Sequence, residues 1–252
     1  MHSKFPHAWK TAKIHSIPKP GKPNTIIQSY RPISVFSTNS KILEKIILSH
    51  LHTHLRNNNI IIPQQYGFRE NHSCIHQLFR VTEFAMIELN KNRTTQLILL
   101  DMEKSFDTVW HEALIHKLQK INIVIKSYLT DRKMFVIIKG TNSTTHNVII
   151  GVPQGSILGS TLFNIYINDI PTTNNTQLAI YDDTTIYASF WNPRQATKYL
   201  QEYIDMISEH MHKWKLRINP QKTQAITFTR KNLQIITEIK INGFNVPKRL
   251  TT

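Results

Sequence analysis

Two adjacent aspartates, Asp182 and Asp183, lie between two runs of strand-forming residues in the stretch LAIYDDTTIYAS, residues 178–189. This pattern predicts a β-hairpin with the carboxylates at its tip. Because like charges repel, such a pair is typical either of a solvated turn or of a site where a divalent cation reverses the repulsion. The motif is compatible with both, so the rest of the chain has to distinguish a turn from a metal site.

The charge of the chain is strongly one-sided: 31 Lys and Arg face 16 Asp and Glu, a formal net charge of +15. Such a charge favours a polyanionic partner, nucleic acid before an anionic membrane surface. No apolar run is long enough for a membrane span, and the N-terminal sequence lacks the apolar core of a secretory signal. The single cysteine, Cys74, excludes an internal disulfide framework. We expect a basic intracellular protein, a class that also includes ribosomal components.

A third carboxylate follows a short apolar run. Residues Leu97–Leu100 predict a strand buried on both faces, and Asp101 comes directly after it. A strand end fixes the direction of a side chain, which is typical of a site residue, although the start of a turn explains Asp101 equally well. Helical spacing then begins at Val109, and Asp107 is the predicted N-cap.

Other segments give local signals. The spacing of leucine and isoleucine predicts a helix over Ser37–Arg56, and a longer amphipathic helix is predicted over Arg194–Leu216. The Gly/Pro loop of GVPQGSILG leads into a helix that Ser156 is expected to cap. A turn at Asn219–Pro220 precedes a strand, and IKINGFNVP predicts an Asn-Gly hairpin. The histidines of HLHTH have no third ligand nearby and are interpreted as surface residues.

The order of these pieces suggests a chemistry. A strand that ends in one carboxylate and a hairpin that carries two can together hold two divalent ions about 4 Å apart. Such a pair of ions binds the attacking and leaving oxygens of an in-line phosphoryl displacement. The basic residues would then hold the nucleic-acid strands and a triphosphate.

Seven stretches carry a resemblance to a known family, in that family's order, from about residue 5 to residue 245. They are AWKTAKIHSIPKPGK, SYRPISVFSTNSKILEKII, QYGFRENHSCIHQL, LLDMEKSFDTVWHEAL, GVPQGSILG, LAIYDDTTIYAS and KWKLRINPQKTQAITFTR. The chain resembles the reverse transcriptase of non-LTR (LINE-type) retrotransposons, especially the jockey-like group of insects.

The resemblance implies an α+β right-hand polymerase, with fingers over residues 1–90 and a palm over 91–252. The palm is expected to be an antiparallel sheet backed by helices, and the primer-grip region and thumb are expected to be missing. The implied activity is RNA-directed DNA polymerisation from a dNTP onto a DNA primer along an RNA template. Asp101, Asp182 and Asp183 are the implied ligands of two Mg²⁺ ions, for which Mn²⁺ can substitute. The expected localisation is the nucleus and cytoplasm.

The resemblance also implies nucleotide-binding residues. Phe106 matches the steric gate that excludes the ribose 2′-hydroxyl, and Arg31 in YRPIS matches the arginine that binds the triphosphate. Gln154, Gly155 and Ser156 are expected to pack against the nascent base pair.

Three lysines have a weaker assignment by the same resemblance. Lys19 and Lys22 are expected over the phosphates, and Lys222 in NPQKT near the leaving pyrophosphate. A solvated surface position explains each of them equally well.

The hairpin tip departs from the family pattern, which has an alanine between the aromatic residue and the aspartates. Here Tyr181 directly precedes Asp182, as after a one-residue deletion. Either the turn absorbs the deletion, or Ile180 takes the place of the aromatic residue and Tyr181 that of the alanine. Both alternatives threaten catalysis, so a catalytically inactive nucleic-acid-binding remnant is the alternative function.

Overall fold

The computed structural model describes residues 4–138, 140–181, 184–231 and 238–251, with the backbone alone for 248–251. The chain divides into two compact units whose segments alternate along the sequence. Unit 1 consists of residues 1–61 and 106–166, and unit 2 of residues 62–105 and 167–252. Across the described ranges, we find no helix with the length and apolar character that crossing a membrane requires.

Six α-helices and twelve β-strands make up the described chain. The helices are α1 (Thr38–Asn57), α2 (Cys74–Asn90), α3 (His111–Lys120), α4 (Lys126–Leu129), α5 (Gly159–Tyr166) and α6 (Pro193–Lys213). The strands are β1 (Thr11–Pro18), β2 (Tyr30–Val35), β3 (Thr94–Leu100), β4 (Arg132–Ile138), β5 (Thr141–Asn142), β6 (His146–Val148), β7 (Gln177–Ile180), β8 (Thr184–Phe190), β9 (Gln224–Phe228), β10 (Lys240–Ile241), β11 (Phe244–Asn245) and β12 (Lys248–Thr251).

Unit 1 contains a mixed sheet in the order β2-β1-β4-β5, with β6 also paired to β4. Strand β1 pairs with β2 in antiparallel and with β4 in parallel orientation. One buried cluster on this sheet consists of Ala12, Ile14 and Phe36, with Val136 packed against it. Because β1 and β4 are far apart in sequence, this sheet depends on a long-range pairing.

Unit 2 contains a five-stranded sheet in the order β12-β9-β3-β8-β7. Strand β3 lies in its centre, antiparallel to both β8 and β9, and β12 joins β9 in parallel. Helix α2 covers one face, where Val81 packs with Leu97 and Tyr187. Helix α6 covers the other face, where the Thr197 hydroxyl donates to the Gln96 side chain at 2.9 Å. The prediction that the apolar run of β3 is buried on both faces is therefore confirmed.

Local signals predicted several elements correctly. Helix α1 begins after Ser37, whose hydroxyl accepts a hydrogen bond from the Ser40 amide. The predicted Asn-Gly hairpin joins β10 to β11, and both Asn242 and Gly243 adopt the positive φ that such a turn requires.

Two local predictions were wrong. Helix α6 ends at Lys213 rather than at Leu216, because Lys215 has a φ of 57° and turns the chain out of the helix. Asp107 does not cap α3: the N-cap is Trp110, and the Asp107 carboxylate accepts a hydrogen bond from Gln154 instead.

The predicted α+β class, with a largely antiparallel sheet backed by helices, is confirmed. The predicted boundary between fingers and palm at residue 90 is a functional division that compactness does not test, so it stays a prediction.

A buried carboxylate fixes the end of α2. Glu88, whose side chain is only 8% exposed, accepts hydrogen bonds from Lys91 Nζ and Arg93 Nη1, each at 2.8 Å. Burial opposes ionisation of this carboxyl, but the two cationic donors outweigh it and hold the pKa of Glu88 below its ordinary value of 4.5. The ionised form therefore stabilises the fold.

We predict that the stabilisation by Glu88 depends on pH. Because its pKa is lower in the folded state, the contribution is fully present above about pH 4.5 and is lost as the pH falls through the folded pKa. In urea unfolding at pH 7, Glu88→Gln should cost about 1–3 kcal/mol. The cost should shrink at pH 3. Glu83→Gln, an exposed change on the same helix, is the control. A cost for Glu88→Gln that is equal at both pH values would contradict the prediction.

Candidate functional site

Asp101 lies immediately beyond the central strand of unit 2. Leu100, the last residue of β3, pairs with Thr184 of β8, and Asp101 follows it. Two contacts fix its backbone: the Asn219 amide donates to the Asp101 carbonyl at 2.8 Å, and the Asp101 amide donates to Thr223 Oγ1 at 3.3 Å. The Asp101 side chain is 29% exposed. A carboxylate on a fixed backbone therefore points where solvent or a ligand reaches it.

Lys222 contacts this carboxylate. Its Nζ atom lies 3.7 Å from Asp101 Oδ2, and its side chain is 69% exposed. The turn that carries Lys222 is held together by Thr223, whose amide and hydroxyl both donate to the Asn219 carbonyl. An ion pair this exposed contributes little to stability, so Lys222 can exchange Asp101 for another anion at low cost. Two residues that were predicted separately thus lie together.

Asp182 and Asp183 lie outside the described residues. Their neighbours are described: Ile180 ends β7 and pairs with Thr184, the first residue of β8. The predicted hairpin is therefore confirmed up to its tip. Among residues 4–138, 140–181, 184–231 and 238–251, no group of three or more His, Cys, Asp or Glu side chains could hold a metal ion. Asp101 is the one predicted ligand within those ranges.

The segment QYGF supports the chain just before the tip. The Tyr66 amide donates to the Ile180 carbonyl at 2.8 Å, and the Ile180 amide donates to the Gln64 carbonyl at 3.0 Å. Gly67 lies so close that a Cβ atom there would be 2.3 Å from the Tyr181 carbonyl oxygen. Only glycine fits this approach, which explains a residue whose role the sequence did not reveal.

In unit 1 the loop of residues 151–157 lies against β2. The Ser34 amide donates to the Gln154 carbonyl at 2.7 Å. Gly155 has a φ of 105°, and a Cβ atom there would be 2.5 Å from the Ser34 carbonyl oxygen. The Gln154 side chain donates to Asp107 Oδ1 at 3.0 Å. Close backbone contact therefore fixes the position of Gln154 and Gly155.

Ser156 connects this loop to a buried polar network. Its hydroxyl donates to Glu44 Oε2 at 3.0 Å and lies 2.6 Å from the Tyr128 hydroxyl. The Glu44 carboxylate also accepts from the Ile157 amide at 2.8 Å. Ser156 Oγ in turn accepts from the Leu158 and Gly159 amides, so it satisfies the amide of the first residue of α5 from a position two residues before the N-cap, Leu158. Burial is the main cause that raises the pKa of Tyr128, so its hydroxyl stays protonated.

Phe106 also contacts the elements around this loop. Its ring stacks on Phe163 of α5, with centroids 4.7 Å apart and planes at 27°. Its carbonyl accepts from the Val152 amide at 2.8 Å. The predicted gate residue thus has a ring of fixed orientation.

His111 holds the start of the loop. Its Nε2 atom lies 2.7 Å from the Gly151 carbonyl oxygen, to which it donates. Burial is the main cause that lowers the pKa of His111, and Arg132 adds to it. His111 is therefore neutral at pH 7 and acts as a structural donor.

Three predicted phosphate-binding cations lie on one hairpin of unit 1. Arg31 is exposed on β2, where it pairs with Ile17. The Lys19 side chain donates to the Gln28 carbonyl at 2.9 Å, within the loop that joins β1 to β2. Lys22 is exposed in the same loop. The hairpin register therefore brings these cations to one end of the β1–β2 pair.

Sequence reasoning missed four supporting residues: Glu44, Gly67, His111 and Phe163. One signal was available, since Glu44 lies seven residues before Leu51 and thus on the buried face of a helix, where an unpaired carboxylate is unfavourable. The partners of the other three lie in distant segments, which leave no mark on the local pattern.

Comparison with known proteins identifies the family of the chain. A family model described as reverse transcriptase (RNA-dependent DNA polymerase) matches residues 17–246. The chain is 34% identical, over 98% of its length, to the probable RNA-directed DNA polymerase from transposon BS of Drosophila melanogaster, and covers 30% of that protein. It is 35% identical, over 90% of its length, to the RNA-directed DNA polymerase from mobile element jockey of the same species, and covers 26% of it. The chain thus spans less than a third of these curated relatives.

Solved structures show the same fold at low identity. Apo telomerase from Candida tropicalis matches 98% of this chain, and 48% of its own, with a TM-score of 0.64 and 16% identity. Telomerase from the same species in complex with a TWJ fragment of telomeric RNA matches 97% of this chain, and 44% of its own, with a TM-score of 0.63 and 16% identity. With the family match over most of the sequence, the conclusion is that the chain belongs to the reverse transcriptase (RNA-dependent DNA polymerase) family, and within it resembles the enzymes of jockey-like non-LTR retrotransposons.

Proposed function

We propose that this chain is an RNA-directed DNA polymerase domain that adds nucleotides from dNTPs to a DNA primer along an RNA template. One observation carries the proposal: β3 and β7 both pair with β8, so that Leu100 and Ile180 are both partners of Thr184. Asp101 comes directly after the first of these partners, and Thr184 comes directly after the aspartate pair. This register supports a shared site for the three carboxylates, although they are far apart in sequence.

The donor chemistry at Asp101 fits a divalent metal. Its partly exposed carboxylate is a hard oxygen ligand of the kind that Mg²⁺ prefers, and it forms an ion pair with the exposed Lys222. We assign Asp101, Asp182 and Asp183 as the residues that hold two Mg²⁺ ions, or Mn²⁺ in their place. When bound, the ions supply charge stabilisation for the attacking 3′-hydroxyl and the leaving pyrophosphate. Lys222 contributes a positive charge that balances the pyrophosphate.

The remaining assigned residues bind the incoming nucleotide. Arg31, Lys19 and Lys22 bind the triphosphate through an exposed cationic hairpin. Phe106, whose ring is fixed against Phe163, selects against the ribose 2′-hydroxyl by its bulk.

The loop at Gln154–Ser156 packs against the new base pair. The family resemblance further supports fingers over residues 1–90, a palm over 91–252, and action in the nucleus and cytoplasm.

Asp101→Asn tests the metal assignment. The substitution keeps the size of the side chain but removes its charge, so primer extension on an RNA template with Mg²⁺ and dNTPs should fall about 100-fold or more. Thermal unfolding should be unchanged, because Asp101 is partly exposed and its ion pair with the exposed Lys222 is weak. Asp205→Asn, an exposed change in unit 2, is the matched control. Full extension by Asp101→Asn would exclude the proposed role.

Insertion of one alanine between Tyr181 and Asp182 tests the shortened tip. The insertion restores the family spacing and leaves the contact of Gly67 with the Tyr181 carbonyl in place. The extension rate should therefore rise above that of the unmodified chain. An inserted chain that folds normally but extends no faster would show that the present tip is not the limiting defect.

The same comparison tests the alternative function. Template binding without extension by the unmodified chain, together with extension by the inserted chain, identifies the natural sequence as an inactive nucleic-acid-binding remnant. Asp101→Asn in the inserted background is the blank for both measurements.

Gly155→Ala tests the position of the loop. A methyl group there meets the Ser34 carbonyl oxygen at 2.5 Å, so the loop must move away from β2. We expect a higher KM for dNTP, because the displaced loop no longer contacts the base pair. Gly140→Ala is the matched control, since Gly140 has a φ of 80° but nothing within 4 Å of the added atom. Equal effects of the two substitutions would attribute the defect to backbone strain rather than to the loop contact.

A further inference from the structure

The end of the unit 2 sheet opposite to Asp101 carries a cluster of cations around an exposed tryptophan. Thr94, the first residue of β3, pairs with Phe190, the last residue of β8, and Thr95 pairs with Phe228 at the end of β9. The residues just outside these strand ends therefore meet. The basic–aromatic patch consists of Lys91, Arg93, Trp191, Arg230 and Lys231.

Trp191 is the centre of this patch. Its side chain is 56% exposed, although the Arg93 guanidinium lies 5.2 Å and the Lys231 ammonium 5.7 Å from the ring centroid. Lys231 Nζ also donates to the Trp191 carbonyl at 2.5 Å, which fixes the backbone of the tryptophan. A large apolar ring thus remains open to solvent beside two positive charges. Such exposure costs hydration free energy, which burial by a ligand would recover.

The patch has a surplus of positive charge. Glu88 balances one of its four cations, because Lys91 and Arg93 share that carboxylate. The recorded hydrogen-bond acceptors of Arg230 and Lys231 are uncharged oxygen atoms, Asn90 Oδ1 and the Trp191 carbonyl. At least two cations therefore keep their charge available for an anionic partner.

We propose that the basic–aromatic patch binds single-stranded nucleic acid. One base stacks on the open part of the Trp191 indole, while Arg230 and Lys231 bind the flanking phosphates. An aromatic ring beside cations suits a single strand, because its bases are exposed for stacking, whereas a duplex offers only its backbone. The site lies at the opposite end of β3 from Asp101; seven residues at about 3.3 Å each separate the two by roughly 23 Å. The proposal is thus independent of polymerase activity.

The test measures binding of a fluorescent twelve-nucleotide single strand to the whole 252-residue chain, with a saturating blunt RNA–DNA duplex present to occupy any duplex-binding surface. The probe should bind despite the duplex and quench tryptophan fluorescence. Trp191→Ala should weaken binding about 5- to 150-fold, the range for loss of one stacked base. Trp191→Phe should retain most of the affinity but lose the quenching. An RNA probe and a DNA probe of the same sequence show whether the patch prefers single-stranded RNA or single-stranded DNA.

Charge removal gives a second readout. Log affinity falls with log salt, and the double variant Arg230→Gln with Lys231→Gln should make this negative slope shallower by about 1.4, because two phosphate contacts are lost. The matched controls are Phe244→Ala, which removes another exposed ring of unit 2, and Lys240→Gln, which removes another exposed lysine. Neither should change affinity or slope. Three outcomes would each overturn the proposal. The duplex competitor could displace all of the probe, Trp191→Ala could bind the probe as well as the unmodified chain does, or the control variants could weaken binding as much as the test variants. None of these outcomes depends on primer extension.

Discussion

The pairing of β3 with a strand on each side is the constraint on which unit 2 depends. Helices cover both faces of this strand, with Leu97 packed against Val81 on one face and Gln96 hydrogen-bonded to Thr197 on the other, so a slip of one residue would break the contacts on both faces. The fixed register determines what emerges at each end. At one end it places Asp101 beside the turn of Lys222 and next to Thr184. At the other end it gathers the cations around Trp191.

Unit 1 relies on a different kind of interaction. A fully buried carboxylate, Glu44, accepts hydrogen bonds from the Ser40 hydroxyl, the Ser156 hydroxyl and the Ile157 amide, and the last two belong to the loop of residues 151–157. Buried polar networks of this kind are stable only when every member is satisfied, so they tolerate little displacement. These hydrogen bonds therefore contribute to the fixed position of the loop. Removal of one partner would leave the remaining charge desolvated, which is costly.

The sequence predicted what depends on neighbouring residues. The periodicity of α1, the apolar run of β3 and the Asn-Gly turn are local, and each was confirmed. The predicted N-cap at Asp107 was wrong because the capping rule considers only neighbouring residues. In the structure the Asp107 carboxylate accepts a hydrogen bond from Gln154, which is distant in sequence.

The candidate site follows the same division. Asp101 could be identified because a strand end is visible in sequence, whereas its contact with Lys222 required a second strand to return beside it. The supporting roles of Glu44, Gly67 and His111 depend on segments that only the fold brings together. Sequence reasoning therefore proposed candidate ligand-binding residues by type and position, but it missed the residues that hold those candidates in place.

The parallel pairing of β1 with β4 has a consequence for how the chain folds during its synthesis. Strand β1 leaves the ribosome well before its partner β4, which ends at Ile138, and the segment from 62 to 105 between them belongs to the other unit. At about 5–20 residues per second, the edge of β1 waits several seconds for β4. During that interval it is an unpaired template for other strands. Lysine at position 13 and proline at position 18 are residues that discourage such pairing, so the first strand carries its own protection against aggregation.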